Sequence, residues 1–178
     1  MNVRASLKAA TDARHEALDD LFSTLDLTKR EDYVRFLLAQ AAALLPYEAA
    51  LDHAGAATVI PDWPAHRRGP AILADLEAMG HDLPPPVAIQ PVLGTPDILG
   101  AAYVLEGSRL GGEVIRRGLP EGMPTAFLRH PSPTRWPDFV ALLEQNLASP
   151  VDRAVAERAA ILAFEAFARA ADAYVGNE

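Results

Sequence analysis

Apolar residues recur along this chain at helical spacing, and runs of β-branched residues are almost absent, so the pattern predicts helices throughout. Val3 to Phe22 reads as a first helix with Leu7, Thr11, Leu18 and Phe22 on one stripe. His15 lies on that stripe, four residues after Thr11 and three before Leu18. A second helix is expected from about Arg30 to about His53, carrying Tyr33, Phe36, Leu37, Leu44 and Leu51. Thr28 and Glu31 resemble a capping box at its start, and Pro46 should kink it. Trp63 and Pro64 open a third helix that continues from about His66 to Met79, with Leu73, Leu76 and Met79 inward and Gly80 as its stop. Residues 81–94 read as an extended, proline-rich connection. Thr95 and Pro96 start the next helix, the threonine as cap and the proline at the first helical position. Residues 120–133 read as irregular, and two last helices run from about Trp136 to Leu147 and from about Pro150 to Val175. The expected architecture is a single all-α domain over residues 1–178, built of six or seven helices.

One helix breaks its own rules. From Ile98 to Arg117 the apolar residues Ile98, Ala101, Ala102, Leu105, Val114 and Ile115 keep helical spacing, yet Gly107, Gly111 and Gly112 interrupt the middle. Each glycine inside a helix costs about 1 kcal/mol relative to alanine. Gly107 and Gly111 are four apart and share a face, with Ser108 and Gly112 beside them. Two readings fit that face: close packing of another helix, or a flat ligand lying on bare backbone.

Composition narrows the chemistry. At 178 residues, half of them apolar, the chain can bury a real core. A net charge of −8 argues against a nucleic-acid surface, and zero cysteines exclude disulfides, thiolate ligands and a cysteine nucleophile. No apolar run looks long enough to span a bilayer and no signal-peptide core precedes the first charges, so a soluble cytoplasmic protein is expected.

His15 is the first candidate for chemistry. A lone histidine on a helical stripe is commonly a core residue. Here Asp19, four residues on, could orient the imidazole, and Lys8, seven residues back on the same face, could meet an anionic group of a large ligand. His53, His66, His81 and His130 are expected in loops or on polar faces, and none has zinc-ligand spacing to His15. A single axial histidine is what a haem iron requires, because the porphyrin supplies the other four nitrogens.

Two segments match a known family. Leu7-Lys8-Ala9-Ala10-Thr11-Asp12-Ala13-Arg14-His15, followed by Asp19, resembles the proximal helix of haem oxygenases, with its Leu-Lys-x-x-Thr-x-x-x-His and a following acid. Tyr103-Val104-Leu105-Glu106-Gly107-Ser108-Arg109-Leu110-Gly111-Gly112-Glu113-Val114-Ile115 resembles the distal helix of the same family, closest to its bacterial, bacteriophytochrome-associated branch.

The resemblance implies a helical bundle with haem between the first helix and a kinked, glycine-rich distal helix. His15 would ligate the iron, and Gly107, Gly111 and Gly112, with Ser108 alongside, would leave room for oxygen on the other face. The implied reaction is oxidation of haem by O2, with external electrons, to biliverdin, ferrous iron and carbon monoxide. Haem is then both substrate and cofactor, the electron donor a ferredoxin or reductase, and a bacteriophytochrome a possible recipient of the product; neither nucleic acid nor membrane is an expected partner. Many members carry an aspartate directly after the first distal glycine, to hold a proton-delivering water. Ser108 stands there instead; it can hold a water but cannot be its anion, which leaves Arg109 or Glu113 as candidate helpers. For the haem propionates the candidates are Lys8, Tyr103, Arg116, Arg117 and Arg135. Trp63 and Trp136 read as loop anchors, and Phe164 and Phe167 as core residues. The missing acid is the one feature favouring a second class, a protein that binds, stores or senses haem without degrading it. A third class, a bundle that has lost its ligand, is disfavoured by the intact His15 and glycines.

Overall fold

Asn2 opens the first helix, its side-chain oxygen accepting from the Ala5 N–H at 2.8 Å, and α1 then runs over Val3–Phe22. The computed structural model describes residues 2–176, and among these every regular element is helical. Helix α2 (Arg30–His53) carries Pro46 within it without ending there. The expected capping box is absent. Lys29 is the cap residue without a side-chain bond, and the Thr28 hydroxyl donates to Asp26 at 2.6 Å, since a carboxylate is the stronger acceptor. By length and composition α2 could cross a membrane, contrary to expectation, but most of it is buried inside the bundle.

The expected third helix is two. A four-residue α3 (Trp63–His66) ends where Arg67 turns extended, and α4 (Gly69–Ala78) starts anew. The cause lies in α2. The Glu48 carboxylate accepts the N–H groups of Arg68 at 2.6 Å and Gly69 at 2.9 Å, which caps α4 from outside its own segment. Pro70, in the first turn of α4, marks this start in the sequence. The register shifts with it: Ile72, Leu76 and Met79 are buried, whereas Leu73 is exposed. Gly80 stops the helix with φ of 78°. Glu48→Gln should destabilise the protein by about 1–3 kcal/mol, because one amide N–H2 would then face a backbone donor. Urea unfolding measures this, and an unchanged midpoint would show that α4 needs no cap from α2.

After the extended connection, α5 (Thr95–Gly118) is one helix of 24 residues whose cap is Gly94, one residue before the expected threonine. The stretch read as irregular contains α6 (Ala126–Arg129), held because Asp75 of α4 accepts from Ala126 and Phe127 N–H, each at 2.8 Å. Helices α7 (Trp136–Asn146) and α8 (Pro150–Tyr174) lie within a residue of expectation. Ser149 caps α8 by accepting from Asp152 N–H at 3.0 Å.

Helix α8 is the axis, packing on α5, α1 and α2. Its buried face is small: Ala156, Ala160, Ala163, Ala166 and Ala170 are fully enclosed. Short side chains let the neighbouring helices approach closely, and α5 comes nearest at Gly100, on the carbonyl of Ala156. This contact fixes α5 against α8, so the part of α5 beyond it is left to face α1 across open space.

Candidate functional site

That space is a cleft of about 490 Å³. Helix α1 supplies Lys8, Thr11, His15 and Asp19 to its lining, α5 supplies Tyr103 and the glycine run, and α8 supplies Phe164 and Phe167. The two phenylalanines are buried, as expected of core residues, and they also form an apolar wall of the cleft.

His15 projects into this cleft rather than into the core, which is why its side chain is 59% exposed. Its Nδ1 lies 3.3 Å from Asp19 Oδ2, the pairing read from the i,i+4 spacing. Phe164 meets the imidazole edge-on, with centroids 5.8 Å apart. A carboxylate on Nδ1 leaves Nε2 as the free ring nitrogen and fixes the ring's orientation. Among the described residues no group of three histidine or acidic side chains could hold a metal ion.

Across the cleft, the glycines of α5 have separate jobs. A Cβ at Gly111 would meet nothing within 4 Å, and one at Gly107 would meet only Trp136, at 3.8 Å; Gly112 sits against Leu128. Helix packing therefore does not account for Gly107 and Gly111. The packing glycine is Gly100, two turns before Gly107, and nothing local in the sequence distinguishes it. What remains at Gly107 and Gly111 is helix surface without side chains, open to a flat group.

A polar cluster backs this surface. Glu106 is buried and accepts from Arg109 Nε at 3.0 Å and from the Ser132 hydroxyl at 3.0 Å, with His66 Nδ1 also at 3.0 Å. Burial pushes its carboxyl up, but the His66 bond and Arg109 outweigh this and hold it below the usual range. Arg109 also donates to the carbonyls of His66 and His130. Arg68, 5% exposed, lines the cleft and donates through Nη2 to Leu105 O at 2.9 Å and to Ser108 Oγ at 2.8 Å. His66 was expected on a loop or polar face; it is the buried histidine, because Glu106 and Thr134 satisfy both ring nitrogens. Glu113, considered as a helper for Ser108, is taken by Arg116 and Arg117, which hold its carboxyl down to about 2.

The other candidates divide. Lys8 lines the cleft and is paired with Asp12 at 2.6 Å, a bond that raises its pKa. Tyr103 lines it too, its hydroxyl pushed up by burial. Arg116 and Arg135 are not among the lining residues. Each is held by a carboxylate of its own helix, Arg116 by Glu113 at 2.8 Å and Arg135 by Asp138 at 2.8 Å, geometry that i,i+3 spacing imposes. Arg4, not considered from sequence, is a lining residue. Trp136 is more than a loop anchor, since it lines the cleft 5.9 Å from the Tyr103 ring; Trp63 is the anchor, its Nε1 donating to Asp52 at 2.6 Å. Glu106 did carry a signal, an acid four residues after Ala102 and seven after Leu99 on a core-facing stripe. Arg68 carried none.

No protein-family model matches the chain. A curated haem oxygenase of Xanthomonas campestris pv. campestris is 36% identical over 103 residues, which spans 52% of this chain and 59% of that protein. The haem oxygenase PigA of Pseudomonas aeruginosa is 28% identical over 180 residues, spanning 93% of this chain and 90% of that one. Among solved structures, the haem oxygenase of Neisseria meningitidis superposes with a TM-score of 0.74 at 22% identity, over 100% of this chain and 94% of its own. The haem oxygenase of Leptospira interrogans gives 0.72 at 18% identity, over 97% and 100%. The fold is the one these two enzymes share.

Proposed function

We propose that this chain is a haem oxygenase, whose cleft binds haem and which cleaves it oxidatively to biliverdin, in keeping with its similarity to the haem oxygenases above. The observation that carries this reading is the pairing across one cleft: His15, oriented by Asp19, faces a helix surface bare of side chains at Gly107 and Gly111, while the second lining histidine, His130, lies against Arg109. Haem, when bound, supplies the iron that activates O2 and the ring that is opened, with electrons from an external donor.

The chain's own residues then have definite tasks. His15 Nε2 would ligate the iron, with Asp19 on the other nitrogen to orient the ring. Phe164 and Phe167 exclude water from the ring faces. Lys8 and Tyr103 offer donors to the propionates as expected, and Arg4 joins them where Arg116 and Arg135 do not line the cleft. Gly107 and Gly111 put no side chain into the space across from His15, which would leave room for a small ligand against the α5 backbone. Ser108 donates to Leu105 O at 2.8 Å and accepts from Arg68, and so is committed to protein partners on both counts.

A ferredoxin or a reductase is the proposed donor, a bacteriophytochrome one proposed user of the product, and the cytoplasm the proposed setting. Titration with haem, followed by ascorbate or a ferredoxin system in air, tests the reading. A histidine-ligated Soret band should form, then bleach as biliverdin appears. The second reading, haem binding without degradation, is favoured by Ser108 in place of the family's acid; a Soret band that survives reductant and O2 would establish it instead.

A further inference from the structure

Arg68 is a buried cation whose side chain bonds neutral acceptors. Its Nη2 donates to two neutral acceptors, Leu105 O at 2.9 Å and Ser108 Oγ at 2.8 Å, and its guanidinium carbon lies 4.8 Å from the centroid of the Phe127 ring. Among the described residues no carboxylate oxygen bonds the guanidinium. The two acids nearby are engaged elsewhere: Glu48 takes the backbone N–H groups of Arg68 and Gly69, and Glu106 takes His66, Arg109 and Ser132. Burial, with Arg109 adding its repulsion, brings the Arg68 pKa down to about 9. Taking a guanidinium out of water is costly, and two neutral oxygens and an aromatic face offset only part of it. Arg68 lines the cleft, with Ser108 and the glycine run of α5 beside it.

The charge at this end of the cleft, beside the neutral Ser108, is thus a cation. Where many relatives of the family place a carboxylate, this chain has a neutral hydroxyl held by a cation brought in from the segment between α3 and α4. We propose that Arg68, positioned by Ser108 and Leu105 O, makes the buried end of the cleft a site for a small anion, bound on the haem face turned toward α5. Arg68 then favours negatively charged over neutral ligands there. The proposal rests on the haem-binding reading above.

The test uses the full chain with ferric haem, titrated with sodium azide and sodium fluoride and followed by the Soret and visible bands. The ferrous complex titrated with CO is the neutral control. Arg68→Met removes the cation and should weaken azide and fluoride binding by roughly ten- to a hundredfold, the range for a hydrogen bond to a charged group, while CO affinity moves by less than about threefold. Ser108→Asp provides an independent arm, because it leaves Arg68 in place and neutralises it with an adjacent carboxylate; it should weaken the anions in the same direction. Arg68→Lys, which keeps the charge, should retain most of the affinity. Should Arg68→Met fail to fold, Ser108→Asp decides. Unchanged anion affinities in a folded Arg68→Met or in Ser108→Asp, with a normal Soret band, overturn the anion site and leave the haem reading standing. A wild-type chain that gives no Soret band overturns both.

Discussion

His15→Ala is expected to abolish the histidine-ligated Soret spectrum and to lower haem turnover by about a hundredfold or more, since loss of a mere orienting partner already costs about 10–100-fold at such sites. The structure makes the prediction specific. His15 is 59% exposed, so removing its ring leaves no hole in the core and the fold should survive. What disappears is the one imidazole that meets the cleft with a carboxylate on its other nitrogen. Exogenous imidazole fits the vacated space beside Phe164 and should restore part of the spectrum and of the rate. Asp19→Asn should be milder, with the ligand retained but less firmly oriented. An unchanged spectrum and rate in His15→Ala would remove His15 from the site.

Two glycines of one helix should respond oppositely to added carbon. At Gly100 a methyl group would lie 2.9 Å from both the Ala156 carbonyl carbon and its Cα, which are backbone atoms of α8 and cannot rotate aside. Gly100→Ala should therefore cost about 3 kcal/mol or more, at the upper end of overpacking, despite alanine's better helix propensity. At Gly111 the same methyl would meet nothing within 4 Å, so the unliganded protein should gain up to about 1 kcal/mol. Gly111→Leu puts a branched side chain into the space proposed for haem and its oxygen. It should keep the fold and lose regioselective biliverdin formation. Urea unfolding of the unliganded proteins and chromatography of the biliverdin isomers separate the two effects. A Gly111→Leu protein that forms a single isomer at full rate would mean that this glycine serves no ligand.

The residues around Glu113, Arg116 and Arg135 show why a candidate can be chemically apt and still stand elsewhere. Arginines near a helix end or a helix start are reasonable partners for a propionate. Their nearest carboxylates, however, are three residues away on the same helix, and that local pairing forms whatever the rest of the chain does. Arg4 has no such partner in its own first turn, and it lies on the cleft.

Local rules wrote much of this protein into its sequence. The ends of α1, α2, α7 and α8 follow from residue periodicity, prolines and caps, because a helix is stabilised by contacts within a few positions. His15 and Asp19 were legible together because one turn of helix must bring them together. Tertiary structure alone decided the rest. Glu48 divides α3 from α4 from about 20 positions away, which no window of local propensity contains. Gly100 and Gly111 are chemically identical in sequence, and only the approach of Ala156 makes one a packing contact and the other an open surface. Arg68 reaches Ser108 across a sequence separation of 40, so the sign of the charge beside the glycine run is a property of how the segment between α3 and α4 meets α5, not of either read alone.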